Sequence, residues 1–402
     1  MIDSGSLDSV PGFKAAGTAC GIKINGGPDL AVLLCDRPCA AAGVFTTNRL
    51  QAAPVAFCKR RLENNPESIR AIVVNSGNAN ACTGEQGLRD AGETAAQAER
   101  AFGLGAGSVL VMSTGIIGVP LPLDKIKTGL RQAAKELGSG PQESFSRAIL
   151  TTDTREKTLA LSVEIGGASV TLAAAAKGSG MIHPNLATML VFFATDAAIT
   201  PGALKLLLGR AAARTFNLLS VDGDRSTNDS VFILASGASG APLIENESSR
   251  GFETFYEALL HASTVLSRMI AADGEGATRL VEIRVVGADS FDSAARVARA
   301  VANSPLVKTA IFGGDPNWGR IVSAAGSSGV EIDPERIDVY FGAVQAVSRG
   351  AGSTAGREEL AAELKKSEII VTIGLNQGRA ECRFFTCDLS YDYVRINADY
   401  HT

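Results

Sequence analysis

The chain of 402 residues is poor in the residues on which several classes of protein depend. It has one tryptophan and three histidines, and its cysteines form no C-x-x-C pair, so we expect no metal site. No apolar run reaches the roughly 18 residues needed to cross a bilayer. The N-terminus lacks a basic segment followed by an apolar one. We therefore expect a cytoplasmic protein without a membrane partner.

Further absences concern nucleotides and nucleic acids. The formal net charge is −4 and the basic residues are scattered, which argues against a nucleic-acid partner. No P-loop pattern occurs, which excludes that kind of nucleotide site, and no G-x-S-x-G elbow occurs. The seven cysteines are expected to be free thiols in a reducing compartment. We expect no bound cofactor.

Apolar segments with strand and helix spacing alternate along the whole chain. Residues 71–75 and 189–195 are short apolar runs typical of buried strands, whereas residues 252–272 have the spacing of a long amphipathic helix. This mixture predicts an α/β or α+β class, and we find no internal repeat. Residues 237–249 and 348–358 are rich in Gly, Ser or Ala, so we expect linkers there.

The segment KGSGMIHPNLATML, residues 177–190, combines a lysine, a Gly/Pro turn and a threonine that opens an apolar strand. At the start of a core strand, the hydroxyl of Thr188 is held rigidly, as a nucleophile requires. A threonine also needs a base. Cleavage of the Ala187–Thr188 peptide would create an α-amino group that titrates near about 7.7–8. From the residues alone, an ordinary β-branched residue at a strand start is the other open interpretation.

This segment resembles the self-cleavage motif of the ornithine/glutamate N-acetyltransferases of arginine biosynthesis. Other blocks resemble that family in the same order along nearly the whole chain: GFKAAG, FTTNRLQAAPV, NSGNANACTG, STGIIG, TTDT, VDGDRSTND, DGEGAT, DPNWGR and INADYHT. The resemblance implies an α/β sandwich of two packed sheets covered by helices, with a smaller C-terminal α/β domain from about residue 280. It also implies an alpha chain of residues 1–187, a beta chain of residues 188–402, and two copies of each.

The implied activity is a ping-pong acetyl transfer with small-molecule substrates. Thr188 takes the acetyl group from N-acetylornithine and passes it to glutamate. The oxyanion hole maps onto Thr114 and Gly115, which we expect in a loop after a strand. The implied substrate contacts are Thr151, Lys177, Thr188, Glu275, Asn397 and Thr402. Lys177 would pair with the substrate carboxylate, and Glu275 would receive an amine.

Several alternatives stay open at this point. A self-processing aminopeptidase or amidase of the same fold would pass the acyl group to water, and an uncut amino-acid-binding protein would not turn over. Acetyl-CoA as a further acetyl donor is also open, because no residue pattern marks a coenzyme A site. The block VDGDRSTND lacks the glycine and glutamate of an EF-hand, so we interpret it as a structural loop beside the site.

Overall fold

The computed structural model describes residues 5–183 and 189–399, which form two compact units. Unit 1 comprises residues 5–179, 189–216 and 224–266, and unit 2 comprises residues 180–183, 217–223 and 267–399. The predicted nucleophile Thr188, Ala187 before it, and Thr402 lie outside the described residues. Within the described ranges, no helix is both long and apolar enough to cross a membrane.

Unit 1 is built around one hydrogen-bonded path of strands. Its strands are β1 (Phe13–Thr18), β2 (Leu30–Phe45), β3 (Ile69–Asn78), β4 (Val109–Ile116), β5 (Lys157–Ile165), β6 (Ala168–Lys177), β7 (Leu190–Thr195) and β8 (Ser230–Ala235). Its helices are α1 (Ala53–Asn64), α2 (Gly84–Phe102), α3 (Leu123–Glu136), α4 (Ser144–Ala148), α5 (Pro201–Arg214) and most of α6 (Phe252–Ala272). The strand order is β4-β3-β2-β8-β7-β6-β5, and β1 pairs with β2.

The long strand β2 changes partners near its middle. Its first half pairs with β3, its second half pairs with β8, and the register shifts between Leu34 and Cys39. Pro38 lies in that stretch and has no N–H to donate, so the ladder is interrupted there. Side chains from both halves of the sheet meet in one core. In that core the rings of Phe145 and Phe192 pack edge to face, with their centroids 5.1 Å apart.

Helices lie against both halves of this sheet. α1 and α2 contact β4, α3 contacts β1 and β2, and α5 contacts β2. Local sequence signals set the helix ends. Gly103 follows α2 with φ +64°, a left-handed conformation that favours glycine. Pro201 begins α5 after Thr200, whose hydroxyl accepts a hydrogen bond from the backbone N–H of Ala203. The predicted α/β class is confirmed.

Unit 2 is a smaller α/β unit with its own core. Its strands are β9 (Leu280–Ala288), β10 (Asp338–Phe341), β11 (Val344–Ser348), β12 (Ala351–Gly352), β13 (Glu368–Gly374) and β14 (Ala380–Cys387), in the order β12-β11-β10-β13-β9-β14. Its helices are α7 (Phe291–Ala302), α8 (Pro305–Phe312), α9 (Trp318–Gly326), α10 (Arg357–Glu363) and α11 (Tyr391–Asp399). α7 contacts β9 and β14, and Trp318 at the start of α9 packs against the core.

Neither Gly/Ser-rich stretch is a boundary between the units. Residues 237–249 form a loop that lies wholly within unit 1, and residues 348–358 contain β12 and the start of α10. The prediction that these two stretches are linkers is therefore wrong. One boundary falls inside α6, between residues 266 and 267. A continuous helix has no glycine or proline signal at such a point, so composition cannot reveal it.

Gly17 in β1 lies where a side chain has no room. A Cβ at this position would overlap the carbonyl oxygen of Ser144, the first residue of α4. We expect Gly17→Ala to lower the free energy of unfolding by about 1–3 kcal/mol, because strand and helix must move apart. Gly209→Ala in α5, where no atom lies within 4 Å, should raise it by about 0.5–1 kcal/mol. Urea unfolding measures both, and equal midpoints would contradict the packing described here.

Candidate active site

Two glycines, Gly77 and Gly115, lie side by side where the parallel pair of β3 and β4 ends, and we call this place the glycine corner. Gly77 pairs with Gly115, and the register becomes irregular at Asn78. Gly115 has φ +132°, and a Cβ there would overlap the backbone of Gly77 and Asn78, so only glycine fits. Thr114 is buried beside it. The prediction that Thr114 and Gly115 lie in a loop is wrong. Both residues belong to β4, which continues to Ile116 and stays paired with β3.

Buried side-chain amides hold this corner. The Ser113 hydroxyl donates to Asn75 Oδ1 at 2.6 Å, and Asn75 Nδ2 donates to the carbonyl oxygen of Asn78 at 2.8 Å. Asn228 Nδ2 donates to the carbonyl oxygens of Ala79 and Ser113, at 2.6 and 2.9 Å. Buried backbone carbonyls are thereby satisfied where the ladder becomes irregular. The corner is rigid for this reason, and the network was not foreseen from the sequence.

Lys177 is the last residue of β6, and its side chain is 2% exposed. Its Nζ donates to Thr151 Oγ1 at 2.7 Å and to Thr114 Oγ1 at 3.4 Å, and it lies 3.8 Å from Asp153 Oδ2. The structure therefore brings three of the predicted site residues together. A hydroxyl oxygen that accepts from lysine keeps its own hydrogen for another acceptor, so Thr114 remains able to donate.

Asp153 is the buried counter-ion that the sequence analysis did not single out. Its Oδ1 accepts from Lys157 Nζ at 2.7 Å and from the Gly178 N–H at 2.6 Å, while Oδ2 accepts from the Thr151 N–H at 3.0 Å. Burial alone would raise the pKa of Asp153, but the ammonium groups of Lys177 and Lys157 outweigh it and hold the pKa below its usual range. The available signal was a carboxylate in TTDT four residues before a lysine that begins β5.

The acidic block VDGDRSTND holds the chain before and after the predicted cleavage point. In unit 2, the Asp222 carboxylate accepts from the N–H groups of Met181 at 2.6 Å and Ile182 at 2.9 Å. Met181 has φ +55°, which a non-glycine residue seldom adopts. In unit 1, Asp229 Oδ1 accepts from the Met189 N–H at 3.0 Å. These carboxylates thus fix the backbone on each side of residues 184–188.

Asp229 is fully buried, and the sequence analysis gave it no separate role. Burial raises the pKa of its carboxyl group well above the usual range, and the hydrogen bond from Met189 and the charge of Lys177 offset only part of that effect. Its Oδ2 makes no hydrogen bond with any described residue. Through its hydrogen bond from the Met189 N–H, this carboxyl group contacts the backbone of the residue that follows Thr188 in the sequence.

A second pair of predicted residues lies within unit 2. Asn397 Nδ2, on α11, donates to Glu275 Oε2 at 2.9 Å and to the carbonyl oxygen of Tyr393 at 3.0 Å. A Cβ on Gly180 would overlap the Glu275 carboxylate, so that carboxylate depends on a bare glycine beside it. The hydrogen bond to Glu275 ties down a helix that is close to the C-terminus and has no buried residues of its own.

We expect Asp153→Asn to lower the free energy of unfolding by about 3–5 kcal/mol at pH 7, because it leaves two buried ammonium groups without their counter-ion. The pKa of Asp153 is depressed in the folded state, so its contribution is present above the unfolded pKa and is lost as the pH falls through the folded value.

Thermal unfolding of the wild type and of Asp153→Asn, followed from pH 7 down to about pH 2, checks both statements. The difference between the two proteins should shrink on acidification. Glu164→Gln, at an exposed position of β5, is the control and should behave as the wild type. A constant difference at every pH would rule out the ionic explanation.

The sequence comparisons with known proteins extend over nearly the whole chain. The sequence model of the ArgJ family matches residues 14–402. The arginine biosynthesis bifunctional protein ArgJ of Symbiobacterium thermophilum is 47% identical over 401 residues, which cover 99% of each chain. The protein of the same name from Dehalococcoides mccartyi is 45% identical over 404 residues, covering 100% of this chain and 98% of the relative.

A solved structure is similar over part of the chain. The crystal structure of arginine biosynthesis bifunctional protein ArgJ from Bacillus halodurans has 41% sequence identity and a TM-score of 0.51. The match covers 98% of the solved chain but 52% of this one, so the solved chain is about half as long.

Proposed function

This chain belongs to the ArgJ family, and we propose that it transfers an acetyl group from N-acetylornithine to glutamate through an ester on Thr188. It is an acetyltransferase of arginine biosynthesis. The observation that carries the proposed chemistry is the buried cluster of Thr114, Thr151 and Lys177 at the glycine corner. Hydroxyl donors and a cation are held there in one place, as acyl transfer to and from a carboxylate-bearing substrate requires.

The first half-reaction forms the ester. The hydroxyl oxygen of Thr188 attacks the acetyl carbon, and the α-amino group of Thr188 takes the hydroxyl proton. The carbonyl oxygen becomes an oxyanion that accepts hydrogen bonds from the Thr114 hydroxyl and the Gly115 N–H. The C–N bond then breaks, the proton passes to the departing amine, and ornithine leaves. Each preorganised donor of this kind typically contributes about 2.7–4 kcal/mol.

The second half-reaction repeats these steps in reverse order with a different amine. The α-amine of glutamate attacks the ester carbonyl, the same oxyanion forms, and the C–O bond to Thr188 breaks. The threonine oxygen recovers its proton, and N-acetylglutamate leaves. A rigid oxyanion corner suits both halves, because it stabilises the same charge twice without rearrangement.

The substrate contacts are assigned to the two sets of residues described above and to the chain end. Lys177 pairs with the carboxylate that both substrates share, with Thr151 beside it, and Thr188 completes this set. Glu275 receives the ammonium group of ornithine, and the hydrogen bond from Asn397 orients its carboxylate. Thr402 belongs to this set by the family pattern alone.

Two observations support self-cleavage between Ala187 and Thr188. The Asp222 carboxylate holds the backbone at Met181, the Asp229 carboxylate holds it at Met189, and Met181 has the left-handed conformation that a non-glycine residue seldom adopts. In addition, the crystallised relative has a chain about half as long as this one, as one of two cleavage products would have. We propose fragments of residues 1–187 and 188–402, with two copies of each in the assembly.

Intact mass under denaturing conditions tests this proposal directly. We expect fragments of about 19 and 22 kDa by residue count. After addition of N-acetylornithine, the larger should gain one acetyl group, about 42 Da, which glutamate then removes. Thr188→Ala should stay at 41.5 kDa and take up no acetyl group. A wild-type protein that stays uncut would contradict the mechanism. If the acetyl group on Thr188 is transferred only to water and not to glutamate, the amidase alternative is favoured.

The oxyanion role of Thr114 makes a separate prediction. Thr114→Val keeps the shape of the side chain but removes the hydroxyl, so acetylation of Thr188 should slow by about 10²- to 10³-fold. Thr114→Ser restores a donor and should recover most of the rate. Single-turnover acetylation of the cleaved protein, followed by mass, gives both rates. Equal rates for Val and Ser would argue that the hydroxyl plays no part in catalysis.

We also propose acetyl-CoA as a second acetyl donor, since both curated relatives are named bifunctional. The mass assay with acetyl-CoA in place of N-acetylornithine decides this. A cytoplasmic location is proposed as well, because the seven cysteines are all free thiols, which fits a reducing compartment.

A further inference from the structure

Lys23 lies on a connection that is fixed by one buried carboxylate. Asp29 is fully buried in the loop between β1 and β2. It accepts hydrogen bonds from the backbone N–H groups of Cys20 at 2.7 Å, Ile22 at 2.5 Å and Lys23 at 3.0 Å. A loop held by three such bonds presents its side chains in a defined place, as a binding residue requires.

The loop places Ile22 and Lys23 against the glycine corner. A Cβ built on Gly77 would lie 3.1 Å from Ile22 Cγ2 and 3.3 Å from Lys23 Cγ, so the lysine stem crosses the bare Cα of Gly77. Gly77 in turn packs against Gly115, the proposed oxyanion donor. Lys23 Nζ donates to the carbonyl oxygen of Pro28 at 2.6 Å and, among the described residues, forms no ion pair. Two of its three hydrogens remain available to a ligand.

The electrostatics of Lys23 point to an anion. Burial lowers the pKa of its ammonium group. Asp29 and Asp153 raise the pKa, whereas the positive charge of Lys177 lowers it. The positive charge of Lys177 thus acts against that of Lys23. Asp29 is already occupied by backbone N–H groups, and Asp153 is already shared between Lys157 and Lys177. An additional negative charge at the corner would therefore stabilise both ammonium groups.

We propose that Lys23 binds the side-chain carboxylate of the acceptor glutamate. This inference rests on the proposed function, in which Lys177 takes the carboxylate common to both substrates. Glutamate carries one carboxylate more than N-acetylornithine, and the corner carries one ammonium group more than the common carboxylate needs. Lys23 is therefore a specificity-determining residue of the second half-reaction, and the first half-reaction does not depend on it.

The test uses the full-length, self-cleaved protein and treats the half-reactions separately. Acetylation of Thr188 by N-acetylornithine and its removal by glutamate are followed by intact mass. Lys23→Gln should raise the KM for glutamate by about 10- to 100-fold, the range expected for a lost charge-assisted hydrogen bond. The KM for N-acetylornithine should change less than about twofold. Lys23→Arg keeps the charge and should recover most of the affinity for glutamate.

Two controls isolate the carboxylate. Lys125→Gln removes a lysine whose Nζ donates to Gly21 in the same loop, and it should leave both half-reactions unchanged. Glutamine, which lacks the side-chain carboxylate, should be a poor acceptor for the wild type, and Lys23→Gln should narrow the difference between glutamate and glutamine. An unchanged KM for glutamate, or equal losses for both substrates, would overturn the assignment. If the wild type takes up no acetyl group, the proposed function itself fails.

Discussion

The ion pair between Asp153 and Lys157 is the interaction on which the rest of the candidate site depends. Both side chains are fully buried, and the same carboxylate also accepts N–H groups of Thr151 and Gly178. One group thus neutralises a buried charge and fixes the turn that follows β6. Lys177 is nearly fully buried, and this carboxylate lies 3.8 Å from its Nζ, so it offsets part of the cost of burying the lysine.

The site combines this charge with a corner that only glycine can form. Gly115 and Gly77 bring two strands closer than side chains would allow, and the buried amides of Asn75 and Asn228 satisfy the carbonyls left over. Donors held by such a network need little reorganisation when an oxyanion forms, which is the physical basis of catalysis at a preorganised site. The local excess of ammonium groups suits substrates that carry carboxylates, and the corner suits the charge that develops during acyl transfer.

Local features of this fold were predictable from the sequence, and long-range ones were not. The apolar runs of β6 and β7 and the spacing of α6 identified those elements because their signals lie within one window. The end of β4 was mistaken for a loop, since Ser-Thr-Gly has weak strand preference and β3 alone keeps it extended. Asp153 was not singled out because its contacts with Lys177 and Gly178 join residues distant in sequence, and the nearby Lys157 alone does not reveal that the pair is buried. The sequence motifs, which occur in the same order as in the family, indicated the family. They did not reveal which side chains contact one another.

The position of the proposed cut explains why cleavage need not separate the fragments. β6 and β7 are antiparallel neighbours, with Lys177 opposite Leu190 and Ala176 opposite Val191. A cut between them removes a connection and leaves this ladder intact, and β7 also pairs with β8. In the sequence, Thr188 comes two residues before Leu190, which pairs with Lys177. If the chain is cut at the proposed peptide, the backbone hydrogen bonds of this ladder hold the two fragments together, because none of them crosses the cut.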